Sequence, residues 1–305
     1  MPYAPIRNKT TILNVLVGAD DSLVGLKIKN SVIISMTFHE FFEIVMNVCG
    51  SKELNRLTDG LSSHHILPVN DSRLTVLETV TEDSYDIFAP DLILKALKLY
   101  HGADIYSCYT INYIFDGAKL RFGGIGNTLK YVHAVGFVKP QYSLTQEEKD
   151  SFPQWYESTF PKLIDTNQSD TFRAMIRMYD TSYLIGICES EYIMLFTILE
   201  MMFEIDGENI TSNIAKGTSK LLGKNAKEKG KIRNQMVTLY NTRSRYIHDG
   251  NDVPHSDLFA LREIVRKVLV EICNLEYHIK DKSLEELRNY LLSTQYKSKQ
   301  KSDIL

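Results

Sequence analysis

The sequence predicts two domains: an α+β domain over residues 1–140, followed by an all-helical antiparallel bundle over residues 166–296. The first part mixes segments rich in β-branched residues with segments of helical spacing, whereas the second carries apolar residues at helical spacing almost throughout. A chain of 305 residues is long enough for two separate cores. We interpret residues 141–165 as a connecting region and the polar residues 297–305 as a disordered tail.

The elements of the first domain follow from short apolar runs bounded by turn-forming residues. Strands are predicted over residues 11–17, 26–29, 32–34, 73–80 and 130–138, and helices over residues 38–48 and 90–100. The glycine-rich residues 123–127 do not match a dinucleotide-binding fingerprint, because its third glycine would fall on Leu129. A tight turn is therefore predicted at this glycine-rich segment.

Helices of the second domain are predicted from apolar residues that recur every three or four positions and so share one face. The successive faces contain Phe172, Met175, Ile176 and Tyr179; Tyr192, Leu195, Phe196, Leu199, Met202 and Phe203; residues 210–222; Met236, Leu239, Tyr240 and Ile247; and Leu258, Leu261, Val265, Val268, Leu269, Ile272 and Leu275. Asp249 and Gly250 mark the end of the fourth helix, Ser256 is a cap for the fifth, and a last helix follows over residues 283–292. Short loops between such helices favour an antiparallel bundle.

The composition is that of an ordinary globular protein, with 44% hydrophobic and 24% charged residues. No apolar run approaches the ~20 residues that cross a bilayer, and the first ten residues lack the apolar core of a secretory signal. A cytoplasmic protein without a membrane partner is therefore expected. The four cysteines are far apart and form no C-x-x-C pair, so neither a zinc site nor a disulfide framework is predicted.

Positive charge is concentrated in one segment of a chain whose net charge is -3. Residues 206–248 contain nine Lys and Arg against three acidic residues, a local charge of +6, so the rest of the chain is acidic. Positive charge of this density attracts polyanions such as nucleic acids. A solvated, lysine-rich helix face explains the same composition equally well.

The end of the fourth predicted helix carries a candidate catalytic motif, Tyr240-x-x-Arg243-Ser244-x-x-x-His248-x-Gly250. The motif resembles the active-site signature of HEPN ribonucleases, in which an arginine precedes a histidine by four to six residues. The ApeA-like branch of that family, which is associated with defence against phage, has the most similar form.

Two earlier segments extend the resemblance. Residues 191–203 are similar to a family helix in which an apolar run ends in Leu-Glu and a large apolar residue, and residues 213–223 resemble the family's middle helix. The order and spacing of all three pieces agree, and the resemblance covers residues 166–280. The sequence departs from the family at two positions, because Asp249 separates the histidine from the glycine and Gly217 interrupts the middle helix.

The resemblance implies a metal-independent endoribonuclease that acts in prokaryotic anti-phage defence or in a toxin-like system, with no cofactor. His248 would be the acid and base while the ribose 2′-hydroxyl attacks the phosphate, and Arg243 would stabilise the phosphate. Ser244 would donate a hydrogen bond to the phosphate or orient Arg243, and Glu200 would orient Arg243 or His248 from the facing helix. The basic residues expected to contact the RNA backbone are Lys224, Lys227, Lys231, Arg233 and Arg245.

Helical angles add a geometric expectation. Glu200 lies at the edge of its helix's apolar stripe, and Arg243 shares a face with Met236 and Leu239, so both are expected to point toward the bundle. Five residues on a regular helix separate Arg243 from His248 by roughly 140°. A site shared across a twofold homodimer, the arrangement known in HEPN relatives, is therefore expected.

Each of these residues also has a structural interpretation. Arg245 and His248 complement the dipole at a helix C-terminus, and Gly250 is a cap. Glu200 and Arg243 form a structural ion pair in the same alternative. Two other functions stay open at this point: a non-catalytic module that binds nucleic acid or nucleotide, and a structural dimerisation bundle.

Overall fold

A computed structural model of the chain describes residues 9–50, 55, 73–82, 89–115, 120–127, 141–165, 167–203, 209–278 and 284–292. The chain forms two compact units, Met1–Tyr156 and Glu157–Leu305. Residues 141–165, which the sequence assigns to a connecting region, contain two helices and include the division between the units. The predicted strand over 130–138 and the predicted tail over 297–305 lie outside the described residues.

The first unit contains an antiparallel sheet together with helices, which confirms the α+β prediction. Its described elements are β1 (Thr10–Val17), β2 (Lys27–Ile28), β3 (Ser31–Thr37), α1 (Phe38–Cys49), β4 (Arg73–Thr81), α2 (Ala89–Tyr100), β5 (Tyr106–Phe115), β6 (Leu120–Asn127) and α3 (Gln146–Ser158), whose last two residues belong to the second unit. The strand order is β2-β3-β4-β1-β5-β6, and every pairing between these six strands is antiparallel. β1 lies inside the sheet, and all but its two end residues are buried.

The strands β5 and β6 are absent from the sequence prediction. β5 pairs with β1, and β6 pairs with β5 through the glycine-rich segment for which the sequence predicts a tight turn. The register shifts where Asn112 faces Gly124 and Tyr113 faces Phe122, so Gly123 is the extra residue of a β-bulge. Glycine in a strand often marks a bulge. The tight-turn prediction is therefore wrong.

The second unit is helical. Its described elements are α4 (Phe160–Leu163), α5 (Asp170–Ile185), α6 (Cys188–Phe203), α7 (Ile210–Leu222), α8 (Ala226–Asp249), α9 (His255–His278) and α10 (Leu284–Leu292). The helices predicted from apolar spacing are confirmed, although α9 begins one residue before the predicted cap Ser256. α5 packs on α6, α7 on α8, and α9 on α6. Among the described helices, none combines the length and apolar content needed to cross a membrane.

A buried ion pair joins α6 to α9. Arg262, whose side chain is 1% exposed, donates two hydrogen bonds to Oε1 of Glu191, one of them from Nε at 2.9 Å. The guanidinium carbon lies 4.6 Å from the ring centre of Tyr183 and 5.7 Å from that of Phe259. A charge is costly to bury unless it is paired. This pair therefore ties the position of α6 to that of α9.

Gly217 lies where α7 packs against the end of α6. An added Cβ would lie 2.3, 2.5 and 2.9 Å from three ring atoms of Phe203, which is fully buried. Gly217→Ala is therefore expected to destabilise the second unit by about 1–3 kcal/mol, although alanine is the better helix former.

The matched control is Gly230→Ala in α8, where the new Cβ would meet nothing within 4 Å. This substitution is expected to stabilise the protein by about 0.5–1 kcal/mol, because it removes a flexible residue from a helix. Urea denaturation of both variants measures the two effects. A Gly217→Ala protein as stable as wild type would contradict the packing argument.

Candidate functional site

α8 carries the candidate catalytic motif near its C-terminal end, and both ends of the helix are capped. The Asn225 side chain accepts a hydrogen bond from the backbone N–H of Glu228 at 2.9 Å. Gly250 adopts the left-handed conformation, with φ at 69°, and its N–H donates to a carbonyl in the last turn at 3.1 Å. The helix is regular throughout the motif, and its predicted end at Asp249 and Gly250 is confirmed.

Arg243 is held by two neighbouring side chains. Its Nη2 lies 2.9 Å from Oε1 of Glu200 on α6, and its Nη1 donates to the Tyr240 hydroxyl at 3.3 Å. The guanidinium carbon also lies 5.2 Å from the centre of the Tyr240 ring, which packs edge-on against Phe196 with ring centres 5.3 Å apart. The Arg243 and Glu200 side chains are 19% and 16% exposed, so the pair lies between the core and the surface.

The structure thus places Glu200 beside Arg243, one of the two side chains that it was expected to orient. The contact with Tyr240 was missed by the sequence analysis, which treats this residue as part of the core face. The spacing in the sequence indicates this contact, because Tyr240 and Arg243 are three residues apart and such residues are neighbours on a helix. Arg243 Nε is buried and has no hydrogen-bond partner among the described residues, so the guanidinium keeps one donor unused.

His248 lies on a different side of α8 from Arg243. Five residues of regular helix correspond to a rise of about 7.5 Å and a rotation of roughly 140°. The His248 side chain is exposed and makes no side-chain hydrogen bond within the described part of the chain. Its neighbour Ile247 is 47% exposed, so the prediction that Ile247 lies on the buried face is wrong. A single chain does not aim the arginine and the histidine at one point.

Ser244 and Arg245 have different surroundings. Ser244 is half-buried, and its hydroxyl has no hydrogen bond to another described residue. Arg245 is exposed and donates from Nη2 to the Thr242 hydroxyl at 3.3 Å, and that hydroxyl donates to the Asp257 carboxylate of α9 at 2.9 Å. Arg245 therefore belongs to a small polar network between α8 and α9.

The predicted phosphate-binding cations separate into two groups. All four of Lys224, Lys227, Lys231 and Arg233 are exposed, but only Arg233 among them lines a cleft of about 450 Å³ between α7 and α8. The described lining residues of this cleft are Ser212, Lys216, Ser219, Lys220, Lys229, Gly230 and Arg233.

The sequence analysis did not assign a role to three of the cleft's four cations, namely Lys216, Lys220 and Lys229. The sequence does contain a sign of this grouping. Lys216 and Lys220 are four residues apart, as are Lys229 and Arg233, so each pair lies on one face of its helix. We refer below to Lys216, Lys220, Lys229 and Arg233 as the cleft cations.

No family model, curated protein or solved structure matches the chain. The functional interpretation therefore depends on the arrangement of its own residues. Within the described ranges, no three His, Cys, Asp or Glu side chains are grouped as the ligands of a metal ion would be. Arg243 offers a positioned cation for a phosphate, and His248 offers an exposed imidazole on the same helix.

Proposed function

We propose that the chain is a metal-independent endoribonuclease of HEPN type that acts in prokaryotic anti-phage defence or in a toxin-like system. The observation that carries this proposal is the position of the Arg243 guanidinium, which contacts Glu200 of α6 and Tyr240 of α8. The exposed His248 lies on α8, the same helix as Arg243. A guanidinium donates paired hydrogen bonds to phosphate oxygens, and an imidazole transfers protons.

The reaction that fits these residue types uses the RNA's own 2′-hydroxyl as the nucleophile. His248 accepts the proton of the 2′-hydroxyl, whose oxygen attacks the adjacent phosphorus. The bond between phosphorus and the 5′-oxygen of the next nucleotide breaks, and the imidazolium of His248 protonates that oxygen as it leaves. Arg243 stabilises the negative charge that develops on the phosphate oxygens, and the products are a 2′,3′-cyclic phosphate and a 5′-hydroxyl.

The proposed enzyme is a homodimer with its twofold axis near the C-terminal end of α8. Two observations support this arrangement: His248 is rotated away from Arg243 on a regular helix, and the large apolar Ile247 beside it is 47% exposed. A twofold axis places the same patch of both copies face to face. It would bury Ile247 and bring His248 of one copy toward Arg243 of the other.

The direct test is cleavage of total RNA and of tRNA by the purified protein in EDTA. We expect products with 2′,3′-cyclic phosphate ends, and we expect Arg243→Ala and His248→Ala each to lower their rate of formation by about 10²–10⁴-fold while circular dichroism shows an unchanged fold. Cleavage that survives both substitutions would overturn the proposal.

A non-catalytic RNA- or nucleotide-binding module is the second candidate. It is favoured by the cleft cations and by the separation of Arg243 from His248 within one chain. This candidate predicts that no form of the protein cleaves RNA, while RNA affinity falls steeply with salt concentration.

A further inference from the structure

The cleft between α7 and α8 gathers positive charge. Two of the cleft cations belong to α7 and two to α8, and no acidic residue is among the described residues that line the cleft. Like charges four residues apart on a helix repel each other, and so do like charges that face each other across a cleft. A bound anion would relieve this repulsion.

The ammonium groups of Lys220 and Lys216 are partly enclosed by the protein rather than fully surrounded by water. Burial lowers the pKa of Lys220, and the positive charges of Lys216 and Lys229 lower it further. The Lys216 ammonium donates a hydrogen bond to the backbone carbonyl of Leu292 in α10, an acceptor without a full charge. That contact positions the ammonium without neutralising it.

Gly230 leaves the α8 side of the cleft open. Glycine is among the least favourable residues inside a helix, and Gly230 lies in the interior of α8. Neither packing nor backbone conformation requires it there, because an added Cβ would meet nothing within 4 Å and its φ is not positive. Since Gly230 lines the cleft, the missing side chain leaves room beside Lys229 and Arg233.

We propose that this cleft binds the phosphate groups of a phosphorylated ligand. Its described lining consists of cations, two serines and a glycine, whose N–H and O–H groups suit phosphate oxygens. A volume of about 450 Å³ accommodates several phosphate groups. A nucleoside triphosphate and an RNA chain both carry several phosphate groups in a row.

The cleft is separate from the candidate cleavage site on the same helix. Arg233 precedes Arg243 by ten residues, a distance of about 15 Å along α8. Phosphate binding in the cleft needs neither His248 nor a cleavage reaction. The inference therefore goes beyond the proposed ribonuclease, and each can fail without the other.

Calorimetric titration of the full chain with inorganic tripolyphosphate, at an ionic strength held constant with NaCl, tests the inference. We expect binding to wild type, and we expect Lys220→Gln combined with Lys229→Gln to weaken it by at least about tenfold. The equal-charge comparison is Lys224→Gln combined with Lys227→Gln, which alters exposed lysines outside the cleft and is expected to weaken binding by less than about threefold. Absence of binding to wild type, or an equal loss in both double variants, would overturn the inference.

Gly230→Leu tests whether the shape of the cleft matters, because it fills space in the cleft without changing its charge. The substitution keeps all four cleft cations and introduces a good helix former, so the fold is expected to be retained while the side chain fills the space beside Lys229 and Arg233. We expect a loss of tripolyphosphate affinity of about tenfold or more. Unchanged affinity for tripolyphosphate in a folded Gly230→Leu protein would contradict the proposal that phosphate binds in this cleft.

Competition experiments identify the source of the phosphate. A ribo-oligonucleotide that displaces tripolyphosphate, with a salt dependence that becomes shallower by about 0.7 for each cleft cation removed, would assign the cleft to the RNA backbone. Displacement by a nucleoside triphosphate but not by the oligonucleotide would assign it to a small ligand. Failure of both to displace tripolyphosphate would overturn the inference.

Discussion

Arg243→Ala and His248→Ala are each expected to lower the rate of RNA cleavage in EDTA by about 10²–10⁴-fold. His248 is exposed and makes no side-chain hydrogen bond with another described residue, so its loss should leave stability unchanged. A matched control is His255→Ala, because His255 is an exposed histidine at the start of α9. This control is expected to cleave RNA at the wild-type rate.

Mixing the two inactive variants tests whether the site is shared between two copies. In a twofold dimer, a heterodimer of Arg243→Ala and His248→Ala keeps one composite site with an intact arginine and an intact histidine. Random reassociation makes half of the dimers mixed, each with one of its two sites intact, so about a quarter of the wild-type activity should return. If native mass spectrometry shows mixed dimers and no activity returns, the site lies within one copy.

Arg262→Met is expected to lower the free energy of unfolding of the second unit by about 3–5 kcal/mol. The substitution leaves the Glu191 carboxylate buried without its cation and removes the contacts of the guanidinium with Tyr183 and Phe259. A domain is typically stable by only about 5–15 kcal/mol, so the effect is a large part of the total.

Hydrogen exchange of amides in α6 and α9 measures this effect within the second unit. Fluorescence does not serve here, because the one tryptophan, Trp155, lies in the first unit. The control is Glu191→Leu combined with Arg262→Met, which removes both charges and is expected to be much more stable than the single variant. Equal stability of Arg262→Met and wild type would show that the pair contributes little.

Local patterns in the sequence determined the helices of the second unit. Residues three and four apart lie on one face of a helix, so Phe172, Met175, Ile176 and Tyr179 mark a buried face wherever α5 packs, and all four are buried. The same reasoning predicted the end of α8 at Gly250, where a left-handed residue terminates the helix.

The sheet was only partly accessible to this reasoning. The predicted strands over 11–17, 32–34 and 73–80 lie within β1, β3 and β4, whose β-branched residues alternate or run together. β5 and β6 were missed because strand pairing joins distant residues, such as Val15 with Tyr109, and a β-bulge gives glycine a place inside a strand.

Only the tertiary structure decided which charges meet. Helical angles placed Glu200 and Arg243 toward the bundle, but nothing in the sequence pairs Arg262 with Glu191, which is 71 residues away. The cleft cations share a face within each helix by spacing alone, yet the packing of α7 against α8 brings the two faces together. The physical reason is that neighbours within a helix follow from its 3.6-residue period, whereas neighbours between helices depend on their offset and crossing angle, which the whole core determines.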